Sequence, residues 1–115
     1  VASTVVGSFV TYDMDDGSTA LLAANATGTV ALAMSICVAS NFGWYQISGK
    51  GVGKVLASFA DNAAVYGTAT AGSIDDAVVA GDRVHNAKGA SAIGTPSAGL
   101  AEITLNRPHT DDIAD

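Results

Sequence analysis

The sequence has little charge, and its few basic residues exclude several classes of partner. Only 14% of the 115 residues are charged, and five Lys and Arg against eleven Asp and Glu give a net charge of −6 at pH 7. Nucleic acids and anionic membranes are bound by clustered Lys and Arg, whereas these five are too few to form such a surface. We therefore expect neither nucleic acid nor membrane as a partner. A protein surface with so few charged residues is often partly covered by a partner protein. The alternative is a soluble β-sandwich whose surface is rich in Ser, Thr and Ala.

Residues that bind metals or form cross-links are also scarce. Cys37 is the single cysteine, which excludes an internal disulfide and a cysteine-based zinc cluster. His85 and His109 are the only histidines, and neither has a second ligand at a metal-binding spacing. In the acidic turn at residues 13–17 the glycine comes one position too early for a calcium loop. The sequence predicts no metal and no cofactor.

No group of residues matches a catalytic pattern. Ser91 lacks the glycine spacing of a nucleophile elbow, and residues 49–54 lack the Ser or Thr and the helix that complete a phosphate-binding loop. Glu102 is the only glutamate, and the Asp pairs at 75–76 and 111–112 would point apart on a strand. We predict that the protein is not an enzyme.

The sequence does contain patterns typical of short β-strands, and residues 43–55 form the most informative stretch. Trp44, the only tryptophan, and Tyr45 are followed by glycine at every second position from 49 to 53. Alternate residues of a strand share a face, so another backbone or sheet could approach these bare positions closely. We expect a strand, a bend and a second strand. Trp44 and Tyr45 would point to opposite faces, one in the core and the other at a rim or an interface.

Alternation of large and small residues predicts further strands. The clearest covers residues 29–38, whose large alternate members are expected in the core: Val30, Leu32, Met34, Ile36 and Val38. Residues 19–24 fit either a strand or a short helical turn. The other predicted strands are residues 3–12, 63–67, 83–87 and 99–106, the last with Ala101, Ile103 and Leu105 on one face.

These strands, separated by frequent turns and without a helical period, predict an all-β fold. We expect a small antiparallel β-sandwich or barrel of short strands with extended termini. Residues 1–106 would form a single β domain. Residues 107–115 have no period and end in acidic residues, so we expect a C-terminal tail or docking arm.

The second half of the chain carries a resemblance to a known family. A strand opening with Trp44-Tyr45-Gln46-Ile47 leads to Gly53-Lys54-Val55. It is followed in order by residues 62–66, 68–77 and 84–87, an Ala–Gly loop, and a closing strand at 99–105. This order of features resembles the small head-decoration, or capsid cement, proteins of tailed bacteriophages.

The resemblance implies a virion structural protein on the outer surface of the capsid. Such a protein binds the icosahedral head, often as a trimer, and clamps neighbouring subunits of the major capsid protein. Its Arg residues could meet carboxylates of a neighbour. The candidate interface residues are Val1, Ala2, Ser3, Trp44, Tyr45, Arg83, Arg107, Pro108, His109 and Ile113.

Two other functions stay open. The protein could be a different virion component, in a tail or spike, which composition does not separate from a cement protein. It could also be a ligand- or carbohydrate-binding β-sandwich module. Such a module would expose several aromatic side chains on one flat face, whereas one Trp, three Tyr and three Phe are spread along this chain.

Overall fold

The structure is a computed structural model that describes residues 4–13, 15, 17–34, 36, 43–56, 59–78, 82–94 and 99–110. Within these ranges the chain forms β-strands and no helix, which confirms the predicted all-β class. Accordingly, the described residues include no apolar helix of the length needed to cross a membrane. The strands are β1 (Phe9–Tyr12), β2 (Thr19–Leu21), β3 (Gly28–Ala33), β4 (Tyr45–Gln46), β5 (Ser48–Lys54), β6 (Ala64–Gly67), β7 (Ile74–Asp75), β8 (Arg83–Gly89) and β9 (Leu100–Thr110).

All nine strands belong to one antiparallel sheet that curls into an open half-barrel. Seven strands follow the order β2-β1-β3-β9-β8-β6-β7, while β4 pairs with β3 and β5 pairs with β9. Within residues 19–24, which fit either a strand or a helical turn by sequence, Thr19–Leu21 form the strand β2. The long strand β9 is central because it pairs with β3, β5 and β8.

The predicted strand, bend and second strand within residues 43–55 are confirmed. Ile47 separates β4 from β5, and its carbonyl accepts a hydrogen bond from the N–H of Arg107 (2.7 Å). On one side of this bend β4 pairs with the end of β3, and on the other side β5 pairs with β9. The bend therefore lies where β3 and β9 diverge.

The glycines of β5 allow the two halves of the curled sheet to approach each other. A Cβ atom on Gly51 would lie 2.5 Å from Cδ2 of Leu32, and one on Gly53 would collide with the ring of Phe9. Side chains of β1 and β3 therefore fill the space above β5, as the predicted close approach requires. Gly49 differs because it is exposed and has a φ of 88°.

The core lies on the concave side of the sheet. It is made of buried side chains from most of the strands and the loops between them: Phe9, Leu22, Val30, Leu32, Val55, Phe59, Val65, Ile74, Val84, Ala101, Ile103 and Leu105. The predictions for Val30 and Leu32, and for the alternating residues of β9, are confirmed.

The predicted burial of Met34 and Ile36 is wrong. β3 ends at Ala33, and the side chains of Met34 and Ile36 are 57% and 72% exposed. Alternation continues in the sequence beyond the last residue of the strand, so it no longer indicates a buried face there. Val38 and Cys37 lie outside the described residues.

The N-terminal strand is shorter than the predicted residues 3–12. A turn precedes β1, in which the N–H of Ser8 donates to the carbonyl of Val5 (3.0 Å). Gly7, the third residue of this turn, has a φ of 91°, which suits glycine. The turn shortens the strand to Phe9–Tyr12.

The predicted tail boundary after Asn106 is wrong for the next four residues, because β9 continues to Thr110. Residues 106–108 form a bulge opposite Asn86, since Ala87 pairs with Leu105 and His85 pairs with His109. Proline lacks an N–H group, and a bulge is one of the few places in a sheet that accepts it. The residues beyond Thr110 lie outside the described ranges.

Candidate functional site

One end of the β1–β3–β4 layer exposes a group of large apolar side chains, which we call the apolar end. Trp44, the most exposed, has 82% of its surface accessible. The apolar end consists of Val5, Val6, Met34, Ile36 and Trp44. Single exposed apolar residues are common on proteins, whereas several together mark a surface that contacts something else.

Backbone hydrogen bonds bring the three segments of the apolar end together. The N–H of Gly7 donates to the carbonyl of Ala33 (3.0 Å), so the Val5–Val6 turn lies beside the end of β3. The N–H of Met34 donates to the carbonyl of Trp44 (3.1 Å). The apolar end is therefore one local surface made from distant parts of the sequence.

The structure separates the roles of Trp44 and Tyr45. Trp44 is the exposed member of the pair, as expected for an interface candidate. Tyr45 is half-buried and pairs with Ala33, but it is not part of the core cluster. The expectation that one of the two aromatic residues lies in the core is therefore wrong.

The basic candidates and His109 are exposed, but they do not join the apolar end. Arg83 begins β8, while Arg107 and His109 lie on β9. Pro108 is fully buried, because the bulge turns its ring inward. The prediction that Pro108 is an interface residue is therefore wrong. Val1, Ala2, Ser3 and Ile113 lie outside the described residues.

The two histidines meet, which the sequence does not indicate. His85 on β8 pairs directly with His109 on β9, and their rings stack with centroids 5.1 Å apart and planes at 23°. No group of three or more His, Cys, Asp or Glu residues within the described ranges is arranged to hold a metal ion.

An open cleft of about 450 Å³ lies at the opposite end of β1 and β3 from the apolar end. Most of its lining residues carry a hydroxyl group, and they come from β1, β2, the start of β3 and adjoining loop residues: Thr11, Tyr12, Asp13, Ser18, Thr19, Ala20, Thr27, Gly28 and Thr29. The acidic turn at one side of the cleft is held by a hydrogen bond from the N–H of Asp15 to Oδ1 of Asp13 (2.8 Å).

Two carboxylates elsewhere make contacts within the fold. Lys50 and Glu102, on the paired strands β5 and β9, form an ion pair with Nζ and Oε2 3.4 Å apart. Buried Asp82 accepts a hydrogen bond from the N–H of Asn25 through Oδ1 (2.8 Å), which ties two loops together. Both carboxylates therefore have structural partners.

Sequence reasoning missed most of the apolar end. Met34 and Ile36 continue the alternation of β3, so the pattern assigned them to the core, and Val5 and Val6 look like part of a strand. The alternation itself gives no sign of where β3 ends.

The two ends of the β1–β3 layer are therefore the candidate binding surfaces. One is apolar and the other is rich in hydroxyl groups. Comparison with known proteins finds no matching family model, no matching curated protein and no matching solved structure.

Proposed function

We propose that this protein is a virion structural protein that decorates the outer surface of a tailed-bacteriophage capsid. In this proposal it attaches as a trimer and stabilises contacts between neighbouring subunits of the major capsid protein. The proposal combines the resemblance in the second half of the chain with the surface described above.

The apolar end is the observation that carries the proposal. The apolar end exposes five large apolar side chains on a small protein, and complete burial of each one against a partner would contribute about 1.5–3 kcal/mol. Trp is also among the residues that most often dominate the binding energy of an interface. The occupant we assign is the outer face of the capsid subunits.

The low charge of the chain supports the same assignment. A protein that attaches in many copies to a rigid surface needs complementary area rather than reactive groups, and charged residues are depleted at the centre of interfaces. Arg83 and Arg107, which are exposed, are suited to the polar rim of the contact.

Binding to capsids tests the proposal. The probe is a preparation of expanded heads built from the major capsid protein of the same phage and lacking this protein. We expect Trp44→Ala to weaken attachment by about 2 kcal/mol or more, roughly thirty-fold, because it removes the central aromatic group of the interface. The free energy of unfolding of the isolated variant should change by less than about 0.5 kcal/mol, since the side chain is largely exposed.

Val78→Ser is the matched control, because Val78 is 79% exposed but follows β7 and is not part of the apolar end. It should leave attachment unchanged. Failure of the wild-type protein to bind the heads, or equal binding by wild type and Trp44→Ala, contradicts the proposal. Binding to purified tails in place of heads would indicate the tail component.

A further inference from the structure

Hydroxyl and imidazole side chains lie in one row across five neighbouring strands. Thr19 pairs with Tyr12, Tyr12 with Thr29, Thr29 with His109, and His109 with His85. Residues directly opposite each other in antiparallel strands project from the same face, so all five share one side of the sheet. We call them the hydroxyl–imidazole row.

The row lies on the face away from the main core. The neighbouring residue in β3, Val30, points to the other face and is fully buried there, whereas Tyr12 and Thr29 are half-buried and His109 is exposed. Tyr12 and Thr29, with Thr19, also line the open cleft. The row and the cleft therefore form one continuous polar surface.

Two contacts within the row orient Thr29 and the pair of histidines. The hydroxyl of Thr29 donates to the backbone carbonyl of Tyr12 (2.9 Å), which leaves its oxygen positioned as an acceptor. The stacked ring of His85 supports the exposed ring of His109. A surface ordered in this way loses less conformational entropy when it binds a ligand.

The chemistry of this surface discriminates between ligand classes. Arg83, two residues before His85 on β8, lies beside one end of this surface on the same face. Among the described residues, the surface itself contains no Lys or Arg, the side chains that typically bind phosphates and sulfates, and no aliphatic side chain larger than Ala, as a lipid or an apolar peptide would require. It does combine hydroxyl groups, the carboxylate of Asp13 and flat rings. These groups suit hydrogen bonds to several ligand hydroxyls and apolar contact with the face of a sugar ring.

We propose that the hydroxyl–imidazole row binds a neutral oligosaccharide, with Tyr12, Thr29 and His109 as the principal contacts. Oγ1 of Thr19 and Nε2 of His85, at the two ends of the row, are buried, so the accessible part runs from Tyr12 to His109. It covers two spacings between strands, about 10 Å, which fits a short chain of sugar units rather than a single sugar. The row lies at the opposite end of β1 and β3 from the apolar end. A protein attached through the apolar end would therefore keep the row accessible, although the saccharide site does not depend on that attachment.

The test uses the complete chain and four neutral linear tetrasaccharides, made of glucose, mannose, galactose or N-acetylglucosamine. Each is titrated into ¹⁵N-labelled protein while the amide resonances are followed. We expect at least one probe to bind at millimolar or lower concentration and to shift the amides of Tyr12, Thr29 and His109.

His109→Ala should weaken that binding at least ten-fold, and Thr29→Val should also weaken it, while the amide spectrum remains that of a folded protein. Thr104→Ala is the matched control, because Thr104 is also exposed on β9 but lies outside the row. It should leave the affinity unchanged.

Three results would overturn the inference. These are no shift with any of the four probes, shifts confined to residues away from the row, and equal weakening by His109→Ala and Thr104→Ala. The saccharide titration uses no capsid heads, and the attachment assay uses no saccharide. Failure of one proposal can therefore be distinguished from failure of the other.

Discussion

Among the described residues, the non-glycine positions with positive φ are three Asn and one Arg. Asn25, Asn62 and Asn86 have φ values near 60°, and Arg107 has a φ of 49°. Asn tolerates this left-handed region because its short side chain can bond locally, whereas Arg gains nothing comparable. Arg107 is therefore a strained position within the bulge of β9.

This strain predicts opposite results for two substitutions at Arg107. Arg107→Val should destabilise the protein by about 1–3 kcal/mol, because a β-branched side chain is poorly tolerated at positive φ. Arg107→Asn should leave the stability unchanged or raise it slightly. Denaturant unfolding measures both, and equal stabilities of the two variants would show that residue 107 does not adopt this conformation.

The glycines of β5 give a second prediction at the scale of single residues. Gly53→Ala should cost about 1–3 kcal/mol, since the added methyl group collides with the ring of Phe9 in a packed core. Gly67→Ala is the matched control, because Gly67 is also a buried strand glycine but its Cβ would have no neighbour closer than 3.5 Å. It should change the free energy of unfolding by no more than about 1 kcal/mol.

Thermal or denaturant unfolding of the two Gly→Ala variants provides the comparison. If Gly53→Ala proves as stable as Gly67→Ala, then the ring of Phe9 does not lie over β5 and the two halves of the sheet are further apart than described.

At the scale of the elements, the end of β9 is as much a part of the sheet as its beginning. Residues 109–110 pair with β3, and the side chains of Pro108 and Thr110 are buried. A chain ending at Asn106 should therefore be less stable than one ending at Thr110 by about 3 kcal/mol or more, through lost burial and lost strand pairing.

Melting temperatures of the two truncated proteins check this prediction, with the complete chain as reference. Equal melting temperatures would instead support the prediction from sequence that a tail begins at Arg107.

Local alternation could predict the strands whose pairing is regular. It identified Val30 and Leu32 in β3 and the buried face of β9 up to Leu105. It failed where a strand ends or changes phase, because those events depend on the partner strand. Met34 continues the pattern after β3 has stopped, and the bulge at residues 106–108 shifts the phase so that Pro108 turns inward.

The two proposed binding surfaces could not be predicted from local patterns for the same reason. His85 and His109 are far apart in sequence, and they meet only because the bulge sets the register of β8 against β9. Trp44 and Met34 are brought together by one backbone hydrogen bond, which joins the residue after β3 to the residue before β4. Composition could predict a partner, but only the pairing of strands determines which residues lie together.

At the scale of the whole molecule, the apolar character of the proposed attachment surface predicts how the affinity for capsid heads responds to salt. Exposed charges are screened strongly between about 0.15 M and about 1 M salt, whereas burial of apolar surface is not. Affinity for capsid heads should therefore change little over this range of NaCl and should rise in ammonium sulfate.

Sedimentation of heads with the labelled protein at each salt concentration measures this response. A steep loss of affinity with NaCl would mean that Arg83 and Arg107, rather than the apolar end, supply most of the binding free energy.

The central place of β9 has a consequence for synthesis of the protein. The last strand of the described chain pairs with β3, β5 and β8, so the earlier strands emerging from the ribosome lack the neighbour that joins them. Such non-local pairing is slow, on the order of milliseconds to seconds. Nascent chains that end before Thr110 would expose unpaired strand edges. Productive folding would therefore begin only after Thr110 has left the exit tunnel.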